Sequence, residues 1–161
     1  MFKAIKSYAA PIWVVNFVEG TRLNPTKLKN SQQFARERGL PVLQNLLLPR
    51  TKGFVACVRQ LRDTHVQYVY DITIAYRHIT RGFQFPPNLI QVHACSPLTP
   101  PWLFHVHIRR YAIKDLPRDD KELSEWVQQI FVEKDSLLED MKHRWTESAS
   151  LGQVREERYF G

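Results

Sequence analysis

The sequence predicts a mixed α/β fold, and three observations carry the prediction. Runs rich in β-branched and aromatic residues recur at Ile12 to Phe17, Val66 to Tyr76 and Trp102 to Tyr111, and such runs fit the pleated surface of a sheet. Leu123, Trp126, Val127, Ile130, Phe131, Leu137, Leu138 and Met141 recur mostly at three- and four-residue intervals, the spacing of one helix face. Hydrophobic residues make up 43% and charged residues 24% of the 161, the balance of a chain that folds around a core. One domain over residues 1–145 is expected, followed by a polar stretch over 146–161 read as a flexible tail.

In chain order, Ile12 to Phe17 reads as a buried strand that runs into the turn Glu19-Gly20-Thr21. Leu28 to Arg38 reads as a short helix stopped by Gly39, and Leu40 to Leu43 as extended chain. A loop with a basic centre, Leu48-Pro49-Arg50-Thr51-Lys52-Gly53, leads into a helix over Phe54 to Leu61. Val66 to Tyr76 alternates as a core strand around Asp71 and Thr73, and Arg81-Gly82 with Pro86-Pro87 closes it. Leu89 to Val92 and Trp102 to Tyr111 read as two further strands forming an antiparallel edge. The last helix is expected over Asp120 to His143, with Asp119 and Glu122 spaced as a capping box.

Lys and Arg number 23 against 16 Asp and Glu, a formal net charge of +7. That surplus suits polyanions: nucleic acid, an anionic lipid surface or phosphorylated substrates. Cys57 and Cys95 lie far apart inside apolar runs and read as reduced, buried thiols. The apolar stretch from Ala9 to Val18 is about half of the roughly 20 residues a spanning helix needs. No transmembrane segment and no secretory leader are expected.

The chemistry concentrates at two places. Glu19-Gly20-Thr21-Arg22 sets an acid, a glycine, a hydroxyl and a guanidinium at a strand end. There, a backbone turn can approach an anion and Arg22 can give two parallel hydrogen bonds to phosphate oxygens. Arg50 and Lys52 come just before a helix, whose N-terminus favours negative charge. Taken alone, the first block reads better as a surface turn with an ion pair.

Glu19-Gly20-Thr21-Arg22, Ala35-Arg36-Glu37-Arg38-Gly39-Leu40-Pro41-Val42-Leu43 and Leu48-Pro49-Arg50-Thr51-Lys52-Gly53-Phe54 together resemble the lysophosphatidic acid and lysocardiolipin acyltransferases. The resemblance continues through Tyr70 to Tyr76, His105 to Arg110, and Trp126 with Glu133-Lys134-Asp135. It implies an incomplete glycerolipid acyltransferase-like αβ sandwich with a C-terminal amphipathic helix. It also implies acyl transfer from acyl-CoA, as co-substrate, to a lysophospholipid, without a further cofactor, at a membrane surface such as the cytosolic face of the endoplasmic reticulum. By the same resemblance Glu19, Gly20, Thr21 and Arg22 bind the substrate phosphate, Arg50 and Lys52 add anion contacts, and Pro41 matches a fourth family motif. Val18 departs from the pattern, standing where many relatives carry proline or a small residue.

The larger departure concerns catalysis. The family's His-x4-Asp motif, whose histidine deprotonates the acceptor hydroxyl, and its Gly-x-x-Phe-x-x-Arg block both precede the glutamate. Residues 1–18 contain no histidine, and none of the six histidines of the chain has an aspartate five positions later. The expectation is a chain without a catalytic residue, inactive alone, because general-base help is worth about 10²–10⁴-fold. Elements carrying the missing motifs would pack beside Ile12 to Phe17, so exposed apolar surface and poor solubility are expected. A non-catalytic lipid- or phosphate-binding remnant is the alternative.

Other chemistries have less support in the residues. His105 and His107 share one side of a strand and could join His93, yet no carboxylate or cysteine stands at ligand spacing, and no metal is expected. Arg109-Arg110 could meet nucleic acid, but no nucleic-acid module is legible, and lipid contact accounts for the same charge. Asp71 receives no role, since strand acids are usually satisfied by hydrogen bonds.

Overall fold

The computed structural model describes residues 12–87, 89–94 and 102–150. Helix α1 (Pro25–Arg38) begins three residues before the expected start because Asn24 accepts a hydrogen bond from the Lys27 amide at 2.9 Å and Pro25 takes the first turn. It ends at Gly39, whose φ of 63° lets its amide return to Ala35 and Arg36 carbonyls. Helix α2 (Thr51–Leu61) follows, with Val55, Val58 and Leu61 buried.

Strand β1 (Tyr68–His78) is the centre of a three-stranded antiparallel sheet of order β2-β1-β3. Strand β2 (Gly82–Gln84) returns through a tight turn and pairs only with Tyr76, Arg77 and His78. Strand β3 (Trp102–Ala112) pairs with β1 along its whole length, Ile72 opposite Ile108 and Asp71 opposite Arg109. After a 3₁₀ turn (Ile113–Asp115), helix α4 (Asp120–Ser150) crosses the sheet beside β1, β2 and α2. Asp119 caps it, accepting from the amides of Lys121 and Glu122 at 2.9 and 3.0 Å. Residues 146–150 thus continue the helix, while 151–161 lie outside the described residues.

Helix α4 is the spine shared by every core cluster. Leu123 joins Val55, Val58, Leu61, Ile113 and Leu116; Val127 and Phe131 join Leu43; Leu138 and Met141 join Ala75.

Two expectations are corrected. Leu89 to Val92 is not a strand but lies in the six-residue helix α3 (Leu89–Ala94); so short an apolar run carries no periodicity that separates the two. Ile12 to Phe17 is extended but forms no ladder among the described residues. Ile12 and Val14 pack on the first core cluster, whereas Trp13, Val15 and Phe17 are 79%, 72% and 82% exposed. The alternation is there, but only one side of it is buried. Cys57 is a half-buried free thiol, and Cys95 lies outside the described residues.

Candidate functional site

The turn at Glu19 to Arg22 is held by its own backbone and by its neighbours. Gly20 donates its amide to the Phe17 carbonyl at 2.8 Å and adopts a φ of 68°, a left-handed conformation that favours glycine. Arg50 donates its amide to the Val18 carbonyl at 2.8 Å. The Arg50 side chain then crosses the open face of the glycine: a Cβ built on Gly20 would lie 3.0 Å from Arg50 Cδ. The glycine turn and the basic loop, joined through Gly20 and Arg50 30 positions apart, are thus in contact.

The loop that presents Arg50 is fixed from three sides. Asp135 on α4 accepts the amides of Gln44 (3.0 and 2.8 Å) and Asn45 (2.7 Å), and Glu139 accepts from Asn45 Nδ2 at 2.9 Å. Ser31 Oγ accepts the Leu48 amide at 3.0 Å. Glu19 Oε2 accepts the Leu47 amide at 3.2 Å. Backbone donors in a half-buried loop need such partners, and here side chains supply them.

One carboxylate oxygen of Glu19 is thus engaged by the loop backbone. Burial pushes its carboxyl above the ordinary range, while the Leu47 amide and the charge of Lys134 pull the other way. Thr21 accepts a hydrogen bond from the Lys27 ammonium. Arg22 donates to the carbonyls of Pro86, at 2.7 Å, and Pro87. Its charge also opposes the upward push of burial on the Tyr76 phenol. Lys52 is exposed in the first turn of α2, and Arg50 in the cap position gives that helix no side-chain capping bond. The site is therefore a glycine turn with the Arg50 side chain across it, Thr21 bonded to Lys27 and Arg22 bonded to the Pro86 and Pro87 carbonyls, close before the start of α2.

Behind it lies a charge network not expected from the sequence. Lys134, 7% exposed, donates to Asp71 Oδ1 at 2.5 Å and to the Ile72 carbonyl at 3.2 Å. Arg109 grips Asp71 Oδ2 through Nη2 at 2.9 Å and Nε at 3.2 Å, and Glu133 at 2.6 Å. A signal was available: Lys134 stands in the inward row between Ile130 and Leu138, where a lysine needs a buried partner. His107 faces the α4 side of the sheet beside Thr73, and no group of three potential ligands suited to a metal occurs among the described residues. No described helix is long and apolar enough to cross a membrane.

The chain is similar to known proteins over most of its length. The family model "Acyltransferase C-terminus" matches residues 100–148. A 1-acyl-sn-glycerol-3-phosphate acyltransferase 2 of Brassica napus is 38% identical over 135 residues, 84% of this chain and 32% of the relative. A probable 1-acyl-sn-glycerol-3-phosphate acyltransferase 5 of Arabidopsis thaliana is 40% identical over 129 residues, 80% of this chain and 32% of that protein. The human gamma form is 36% identical over 137 residues, 85% and 34% respectively. The chain spans about a third of the length of these relatives and matches their C-terminal part. No solved structure matches it.

Proposed function

We propose that this chain, similar over most of its length to the C-terminal part of the 1-acyl-sn-glycerol-3-phosphate acyltransferases, holds the phosphate of lysophosphatidic acid for acylation from acyl-CoA. The observation that carries the reading is the meeting of Gly20 with Arg50. It turns two separate motifs into one basic, glycine-lined turn at a helix start, which is how proteins commonly hold phosphate. Glu19, Gly20, Thr21 and Arg22 divide the work: Gly20 makes room for the Arg50 side chain, Arg22 and Arg50 give charge, Thr21 holds Lys27 at the rim, and Glu19 fixes the loop behind. Lys52 adds charge at the helix start. The surplus of +7 favours an anionic membrane surface as the workplace, with the cytosolic face of the endoplasmic reticulum the setting that the resemblance implies.

The finer architecture belongs to this reading: an αβ sandwich whose last helix is amphipathic, completed by elements bearing His-x4-Asp. The alternative is a non-catalytic module that binds the lipid phosphate.

Binding tests the reading. Lysophosphatidic acid should bind the chain, an uncharged monoacylglycerol should bind at least about tenfold more weakly, and Arg50→Ala should erase the preference. Equal binding of both lipids would refute phosphate recognition. Mixed with acyl-CoA, the chain alone should transfer no acyl group; transfer would show that the motif is dispensable.

A further inference from the structure

We propose that Asp135 on α4 is a positioning residue for the phosphate site: it sets where the Arg50 guanidinium lies across the Gly20 turn without touching the ligand itself. The role deepens the phosphate reading given above and rests on it.

The stretch 44–50 forms neither helix nor strand, so its backbone amides depend on side chains for partners. Three side chains supply them, and they are unequal. Ser31 on α1 and Glu19 in the turn each accept one amide, at 3.0 and 3.2 Å. Asp135 accepts two consecutive amides, Gln44 at 3.0 and 2.8 Å and Asn45 at 2.7 Å. Bonds from an amide to a carboxylate are shorter and stronger than those between neutral groups. Both carboxylate oxygens are engaged by the loop, so the residue acts through the loop and not on an anion directly.

Asp135 also transmits a position from elsewhere in the fold. Its neighbour Lys134 is bound to Asp71 and to the Ile72 carbonyl of β1. Consecutive helix residues point about 100° apart, so a single turn of α4 faces the sheet with one residue and the loop with the next. One turn further on, Glu139 accepts from Asn45 Nδ2 at 2.9 Å, and Leu43 at the head of the loop packs with Val127 and Phe131. The head of the loop is thereby clamped to α4.

Its tail makes the contact on which the anion site depends. The Arg50 amide bonds the Val18 carbonyl at 2.8 Å, and Arg50 Cδ lies 3.0 Å from where a Cβ on Gly20 would stand. Four residues separate Asn45 from Arg50. Pro49 is one of them and has a fixed φ, while Leu47 is buried. So short and restrained a connection carries a shift of the clamp through to the guanidinium. Recognition of phosphate by paired hydrogen bonds is sensitive to such a shift, because it depends on direction as well as charge.

Binding of lysophosphatidic acid and of an uncharged monoacylglycerol tests the role on the full 161-residue chain in four forms: unaltered, Arg50→Ala, Asp135→Ala and the double variant. Exchange of the Arg50 amide reports the docking of the loop on the turn. Asp135→Ala should speed that exchange at least about tenfold. It should also reduce the preference for lysophosphatidic acid at least about threefold, with no further loss when added to Arg50→Ala. Asp135→Asn, which keeps an acceptor of the same shape, should restore part of the preference. Slow exchange of the Val69 and Asp71 amides, which face β3, shows that a variant is folded; if Asp135→Ala loses it, Asp135→Asn carries the same comparison. A preference that survives Asp135→Ala but not Arg50→Ala overturns the positioning role alone, as does an Arg50 amide that exchanges no faster. Independent losses that add in the double variant also overturn it. A preference unchanged in every form overturns the phosphate reading, and the role with it.

Discussion

The two faces of the sheet are built from opposite materials. The face under α4 carries Asp71, Thr73, Arg77, His107 and Arg109, closed over by Lys134 and Glu133. The other face carries Tyr70, Ile72, Ile74, Val106 and Ile108, all at least two fifths exposed. Burial by area alone would predict the reverse. The difference teaches that α4 is fixed to the sheet by charge pairing in the middle and by apolar contacts on either side, where Trp126 meets Tyr111 and Leu138 and Met141 meet Ala75, while the other face stays open.

The sharpest test of this contrast is a pair of substitutions followed by urea unfolding. Asp71→Ala strands Lys134 in the interior and should cost about 3–5 kcal/mol. Ile108→Ser on the open face should stay within about 0.5 kcal/mol. An equal cost at both positions would mean that the open face is already covered in solution.

A smaller effect is expected where the turn meets the loop. Gly20→Ala imposes a left-handed conformation on a residue with a Cβ and pushes that atom toward Arg50. The cost should be about 1–2 kcal/mol, accompanied by weaker lysophosphatidic acid binding. Unchanged binding would separate Gly20 from the site.

The smallest effects are those of pH. Bonding to Asn45 holds the Glu139 carboxyl below its ordinary 4.5. Its contribution is therefore present above 4.5 and is lost as pH falls through the depressed native value. Burial raises Glu19 above 4.5, so the native state binds the extra proton and stability falls as pH rises from 4.5 through the raised value. Glu139→Gln should flatten the first slope and Glu19→Gln the second, in unfolding midpoints measured between about pH 3 and pH 7.

Much of this was legible in the sequence because local signals agreed with the fold. Gly39 stopped α1, the β-branched runs became β1 and β3, and the apolar row from Leu123 to Met141 faced the core. Gly20 and Arg50 each carry a local signal, a glycine turn and a basic residue before a helix, but their contact is tertiary. Three features were not legible. The Leu89 to Val92 run was too short to show a period. The pairing of β1 with β3 across a long connection depends on tertiary packing. The grip of Asp135 on the Gln44 and Asn45 amides joins residues about 90 apart, and no local rule encodes it.

Lys134 also has a consequence for how α4 is tied to the sheet. Its ammonium holds the Asp71 carboxylate and the Ile72 carbonyl at once, so one helix side chain grips both a side chain and the backbone of β1. The lysine thus acts as a rivet: α4 cannot lift from β1 without uncovering a charge and a carbonyl together.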